Sequence, residues 1–378
     1  MTTSLAVAMT QDQSGERSMR VALVTPRYLP DIGGLEVHVG HLARRLAAAG
    51  HRVDVLTQAR PAASRLVRAD GATVRRFPIR LGGQTYPFAP GLWAYLARHA
   101  RDYDVVHMHG YHATPTIPAA LAPVQRLVFT PHYLGEGRSA IARMAHRPYR
   151  SVGRVLFRRA DHVVCTTTAE AQLVASDFPN AGPKTTVIPN GIDVDVINGA
   201  KPQQCARPMI LCAGRLETYK NIHLVVQALP FLNDGMRLVI VGEGPAARDL
   251  ARLAAHLGVA SRVELVGAVP WPDVYRWFRA ADVFVTMSAR ESFGMTVLEA
   301  HVAGARLVAS DIPPHREVTA TVGPDIALVP LTATPAELAA VIRTAAAADG
   351  PVIHKVPSWD DHVDSLLRLY RENDGQGN

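Results

Sequence analysis

The stretch Ala289-Arg290-Glu291-Ser292-Phe293-Gly294-Met295-Thr296-Val297-Leu298-Glu299-Ala300 sets two carboxylates, Glu291 and Glu299, on either side of seven residues. Before it, Asp282-Val283-Phe284-Val285-Thr286-Met287 has the apolar run of a buried strand. After Ser292-Phe293-Gly294, residues Thr296 to Gly304 read as a short helix closed by a glycine. The order strand, loop, helix puts Glu291 at the carboxyl end of a strand, where open α/β sheets bind ligands. The amides of Ser292, Phe293, Gly294, Met295 and Thr296, in the loop and the first turn, form an anion site. A carboxylate on each side of a diphosphate suits a nucleotide-sugar, Glu291 for the hexose and Glu299 for the ribose. The plainer reading is that both are helix-start charges, which stabilise by roughly 0.3–1 kcal/mol each through the helix dipole.

Moving outward, Pro208-Met209-Ile210-Leu211-Cys212-Ala213-Gly214 is a strand ending in a glycine turn, followed by Arg215, Lys220 and a helix carrying Leu224, Val225, Ala228 and Leu229. Two cations at such a turn suit a diphosphate, Arg215 as a planar fork and Lys220 as a point charge. Leu238-Val239-Ile240-Val241-Gly242-Glu243-Gly244-Pro245-Ala246-Ala247 has the form G-x-G-x-x-A after a strand, with Glu264 about 20 residues on. That pattern opens a competing reading, an NAD-type oxidoreductase. Pro245 inside the motif, its place in the second half, and the separate Arg215/Lys220 pair count against it.

The first half opens with the strand Met19-Arg20-Val21-Ala22-Leu23-Val24-Thr25, a loop, Gly33-Gly34, and a helix with Leu35, Val39, Leu42 and Leu46 on one face. Val53-Asp54-Val55-Leu56-Thr57 follows, which makes a βαβ unit and a parallel sheet. Asp104 to Gly110 is a strand ending in histidines, with His107 and His109 on one face and His109 at the carboxyl end. With His112 nearby a zinc site is conceivable, but the spacing matches no known one, and a substrate-bonding histidine fits better. No metal is therefore expected. A basic stretch, Arg138 to Arg159, holds seven arginines and no acidic residue. Arg147, Arg150, Arg154 and Arg158 recur at helical spacing, and Pro148 suits a helix start.

At 378 residues the chain suggests two domains. A hydrophobic share of 48% with 19% charged residues is globular in composition. The net charge of +7 favours anionic ligands or surfaces, while an aromatic share of 6% and the lack of a recognition signature disfavour nucleic acid. Cys165, Cys205 and Cys212 lack metal spacing and read as buried thiols in a reducing compartment. No apolar run reaches the ~20 residues of a membrane span. Met1 to Ser18 has an apolar patch but no basic n-region, so residues 1–18 read as a disordered leader rather than a secretory signal.

Glu-Ser-Phe-Gly with its second glutamate eight positions on resembles the E-x7-E signature of retaining GT-B glycosyltransferases of the family-4 type, and Gly304 to Asp311 resembles that family's next strand and loop. The likeness spans residues 19–373. It implies an α/β fold of two Rossmann-like domains facing a cleft, 19–193 for the acceptor and 194–356 for the nucleotide-sugar, with 357–378 as a terminal helix crossing back to the first domain. It implies that Gly33 and Gly34 face the donor, that His109 contacts the donor sugar, and that Arg215 and Lys220 clamp the diphosphate. Gly242 would help hold the nucleotide, and backbone near Val269 would meet the base. His109, Arg215, Lys220 and Glu291 are the implied catalytic group. Pro313-Pro314-His315-Arg316-Glu317 departs from the glycines that many relatives carry there.

The expected reaction moves a hexose from a UDP- or GDP-linked donor to a hydroxyl with retention, without cofactor or metal. On the acceptor side the reading places Tyr28, Tyr111, His132, Tyr133, Arg150 and Arg154. The arginine run suggests an anionic or lipid-linked acceptor, or peripheral contact of a cytoplasmic enzyme with an anionic membrane; the plainer reading is a solvated face. A nucleotide-sugar epimerase of the same fold and a non-catalytic nucleotide-sugar binder remain alternatives.

Overall fold

The computed structural model describes residues 17–31, 33–60, 65–80, 87–135, 140–350 and 352–372; for 140–148 and 324 it describes the backbone alone. Most of the leader therefore lies outside the described residues. The chain forms two compact units. Unit 1 combines Met1–Cys165, Val174–Thr186 and Val363–Asn378, and unit 2 combines Thr166–Leu173 with Val187–His362. The main crossing falls between residues 186 and 187, seven residues before the boundary read from the sequence.

Among its described residues, unit 1 is built on a sheet of β1 (Arg20–Thr25), β2 (Arg52–Ala59), β3 (Leu66–Ala69), β4 (Ala72–Pro78), β5 (Val105–His109), β6 (Leu127–Thr130), β7 (His162–Cys165) and β8 (Thr185–Val187). The strand order is β3-β4-β2-β1-β5-β6-β7-β8. Pairing is parallel except for β3 on β4 in the paired registers. Burial of β1 and β6 on both faces explains their apolar runs, and β5 is buried throughout although it carries His107 and His109. The order reverses between β1 and β5, which opens a ligand crevice at their carboxyl ends. The helix Gly34–Ala48 follows β1 and buries Val39, Leu42 and Leu46.

Unit 2 holds β9 (Met209–Ala213), β10 (Arg237–Val241), β11 (Val263–Gly267), β12 (Val283–Thr286), β13 (Arg306–Ser310) and β14 (Ile326–Val329), in the order β11-β10-β9-β12-β13-β14. Side-chain alternation divides its core in two. Leu211, Val239, Phe284 and Leu307 point to one side with Val297, Leu298 and Phe278. Ile210, Ile240, Val283, Val285 and Val308 point to the other, with Val225, Leu338 and Ile342. The order reverses between β9 and β12, the strands that precede Arg215 and Glu291.

The helix Trp359–Arg371 has one buried apolar face, formed by Val363, Leu366, Leu367 and Tyr370. From Val363 on it belongs to unit 1, where the Tyr370 hydroxyl lies 2.6 Å from His107 Nδ1 on β5. The basic helix spans Ala140–Arg159, so Pro148 sits inside it and not at its start. Of the three thiols, Cys165 and Cys212 are buried but Cys205 is partly exposed, a departure from the expected burial. Burial pushes the Cys212 thiol up to about 12.

Candidate functional site

In unit 2 the loops after β9 and β12 are tied together. Ala289 donates its amide to Tyr219 O at 2.8 Å, and Asn221 Nδ2 donates to Met287 O at 3.0 Å. Asn221 itself has a left-handed backbone, φ 50°. This brings the two chemistry-bearing loops face to face: Lys220 Nζ donates to Glu291 Oε1 at 2.6 Å, with both side chains mostly buried. Arg215 pairs instead with Glu217, 2.6 Å away, and is half-exposed. Both cations expected to meet a diphosphate are thus held by carboxylates. A buried or half-buried pair of this kind orients each partner and is open to exchange when a stronger anion arrives.

The loop Ser292–Gly294 is fixed from below. Ser292 O accepts from Thr167 Oγ1 at 3.0 Å and Thr166 Oγ1 at 3.3 Å, two residues that group with unit 2. Phe293 packs its ring into the core. Gly294 has φ 91°, a conformation that favours glycine, and caps the helix Met295–Val302. The helix begins at Met295, one residue before the start read from the sequence. Glu299 lies one turn further and is only 8% exposed. Its Oε1 accepts from the Tyr275 hydroxyl at 3.1 Å, which in turn accepts from Trp271 Nε1 at 3.0 Å. Burial drives the Glu299 carboxyl up to about 7; the Tyr275 bond opposes this and Asp193 adds to it. Asp193 is buried in the same region.

The Gly242-Glu243-Gly244 turn has a different reason from a dinucleotide fingerprint. A Cβ on Gly242 would meet the Gly214 carbonyl, and one on Gly244 would meet Leu216 backbone. Leu216 exchanges backbone bonds with this turn, donating to Glu243 O and accepting from Ala246 N. The glycines let the β9 and β10 loops press together beneath Arg215. Val269 follows β11 and packs partly against the unit 2 core. His315, in the divergent Pro-Pro-His segment, is fully buried with Nδ1 2.8 Å from Ser310 O. Because it borders Gly294, it supports the loop from behind.

In unit 1, Gly33 has an extended backbone and is the N-cap of the helix Gly34–Ala48. A Cβ there would strike Glu36, whereas Gly34 has open space around it. His109 ends β5 fully buried. The structure joins it to His132 and to His38, which the sequence reading missed: one ring nitrogen from each lies within 4.8 Å of the others. His107 and His112 are engaged elsewhere, His107 with Tyr370 and Thr130 at 2.6 and 2.7 Å, and His112 stacked on Tyr149.

Several residues assigned to the acceptor side are buried. Tyr28, Tyr111 and Tyr133 are at most 5% exposed. Tyr111 lies in an aromatic cluster with Tyr133, Tyr149, Phe157 and Phe178. Tyr133 donates to Asp177 at 2.6 Å, and Arg150 lies 3.4 Å from that carboxylate. These groups brace the basic helix. Arg154 and Arg158 are exposed. Among the described residues no helix is long and apolar enough to cross a membrane.

Comparison with known proteins also divides the chain in two, at residue 197. The family model described as Glycosyltransferase Family 4 matches residues 32–196, and that described as Glycosyl transferases group 1 matches residues 198–346. The chain is 30% identical over 386 residues to D-inositol 3-phosphate glycosyltransferase 1 of Catenulispora acidiphila, covering 90% of this chain and 91% of that protein. Among solved structures, sucrose-phosphate synthase from Thermosynechococcus elongatus superposes with a TM-score of 0.73 at 22% identity, covering 93% of this chain and 98% of that one. HepE from Anabaena in complex with UDP and glucose gives a TM-score of 0.69 at 20% identity, over 86% and 89% of the two chains.

Proposed function

Because the chain belongs to the family-4 glycosyltransferases and has the GT-B fold, we propose that it moves a hexose from a UDP- or GDP-linked donor to an acceptor hydroxyl with retention at the anomeric carbon. The observation that carries this reading is the Lys220–Glu291 pair beside a buried Glu299, at the strand-order reversal of unit 2. An incoming diphosphate exchanges with Glu291 for Lys220 and draws on Arg215. Glu291, released, accepts hydrogen bonds from the hexose. Glu299 accepts from the ribose, and those donors supply the solvation that burial removed.

The acceptor oxygen attacks the anomeric carbon on the face from which the diphosphate departs. The carbon–oxygen bond to phosphate breaks, and the leaving phosphate oxygen takes the acceptor proton. Lys220 and Arg215 stabilise the charge that grows on that oxygen, a preorganised electrostatic role that needs no metal on the diphosphate. The UDP held by HepE supports a nucleotide-linked donor. A phosphorylated acceptor, as in the name of the Catenulispora acidiphila relative, agrees with the exposed Arg154 and Arg158. In this reading the enzyme works in the cytoplasm, with the same arginines available to an anionic acceptor or membrane.

The test is a donor-by-acceptor assay with UDP- and GDP-hexoses and inositol 3-phosphate, with the product anomer assigned by NMR. Inversion of the anomer would refute retention. Thermal stabilisation by NAD(P)H and by none of the nucleotide-sugars would restore the oxidoreductase reading.

A further inference from the structure

We propose that His38, His109 and His132 form a zinc site in unit 1, with three imidazole ligands and one open position. His38 lies in the helix that follows β1, His109 is the last residue of β5, and His132 stands just beyond β6. All three sit near the carboxyl ends of the strands, where the order reverses between β1 and β5. Their ring centroids are 5.1–6.1 Å apart, and one nitrogen from each lies within 4.8 Å of the other two. Tetrahedral Zn²⁺ with bonds of about 2.0–2.1 Å holds its nitrogens ~3.4 Å apart. Closing the triad on an ion thus takes ring movements of under about 1 Å each.

Two further features fit a built site. His132 has φ 47°, a backbone region uncommon for residues other than glycine and one that concentrates at functional sites. His109 is backed by His107, centroids 4.1 Å apart, and His107 is itself fixed between Tyr370 and Thr130. His38 and His109 are almost wholly buried while His132 is partly exposed, so an ion enters past His132. Imidazole nitrogen is a ligand for the borderline metals, zinc first among those without redox chemistry, and three protein ligands leave a fourth position for water.

A bound ion would occupy His109, the imidazole that family resemblance assigns to the donor sugar. Zinc should then inhibit transfer. That consequence rests on the proposed function; the binding does not.

The experiment is a Zn²⁺ titration of the full chain against a chromophoric chelator, with Co²⁺ spectra as a second readout, on wild type, His38→Asn and His132→Asn. Wild type should bind one high-affinity ion and show the strong visible bands of four-coordinate cobalt. Each variant should lose more than the roughly 10–100-fold that an outer-shell partner is worth. Zinc should raise the melting temperature of wild type and not of the variants. Circular dichroism and melting of the metal-free proteins check folding, and the part-exposed His132 variant serves if His38→Asn does not fold. Unchanged affinity in a folded His132→Asn, or octahedral cobalt in wild type, would overturn the site. Tight binding at the triad without inhibition would leave the site standing and remove His109 from the reaction.

Discussion

Glu299→Gln isolates the cost of holding a carboxylate inside unit 2. The folded protein raises the Glu299 carboxyl from its ordinary 4.5 to about 7 through burial. Between those values the folded chain keeps a proton that the unfolded chain releases, so stability falls as pH rises. A tenfold change in proton affinity corresponds to about 1.4 kcal/mol. Integrated over pH, the group costs under ~1 kcal/mol at pH 5 and roughly 3 kcal/mol at pH 8, flattening above pH 7. Glutamine keeps an oxygen for the Tyr275 hydroxyl and never ionises. The variant should therefore match wild type near pH 4 and exceed it by about 2–3 kcal/mol at pH 8. Urea midpoints of ligand-free protein across pH 4–8 measure this. The same substitution should weaken binding of UDP or GDP by calorimetry, since a charged acceptor is lost from the ribose. A stability difference that stays flat with pH would refute the buried-carboxylate argument, whatever happened to binding.

Other outcomes follow from the same geometry. Lys220→Ala should lower turnover by roughly 10²–10³, the scale for one preorganised charge-stabilising group; steady-state kinetics near the wild-type value would confine Lys220 to a structural ion pair with Glu291. Glu291→Gln should reduce turnover without weakening UDP or GDP binding, because it frees Lys220 from its ion pair; a calorimetric loss of nucleotide affinity would exchange the two glutamate roles. Transfer should persist in EDTA, and activity restored only by a divalent ion would sink the metal-free clamp. Gly242→Ala forces a Cβ against the Gly214 carbonyl at φ 137°, and should destabilise by at least about 1–3 kcal/mol in thermal melts.

What was legible in the sequence was local. The strand before Glu291, the loop and the helix of Glu299 follow from apolar runs and glycine punctuation, and the structure reproduces them at β12 and Met295–Val302. Apolar runs likewise placed β9 and β10. The Gly242 turn was legible as a turn but not in its purpose, because its neighbour is the β9 loop and adjacency is a property of strand order. His38 was invisible for a like reason: it reads as one polar residue on an amphipathic helix until β5 and β6 bring His109 and His132 beside it. Tyr111 and Tyr133 read as loop aromatics free for a substrate, yet the basic helix covers them through Tyr149, Phe157 and Arg150. Asp177, distant in sequence, turns two members of the supposed acceptor surface into internal braces.

The three-segment composition of unit 1 has a consequence for synthesis on the ribosome. Its first strand is made early, but the segment from Val363 that sets Tyr370 against His107 is made only after nearly all of unit 2. At about 5–20 residues per second, a wait on the order of ten to forty seconds separates Thr186 from Val363. During that time the nascent first unit lacks a helix whose buried face includes Leu366, Leu367 and Tyr370. Unit 2 has all its segments first, so completion runs against the usual N-to-C order. The packing of Tyr370 on His107 of β5 is therefore completed only after unit 2 has been made.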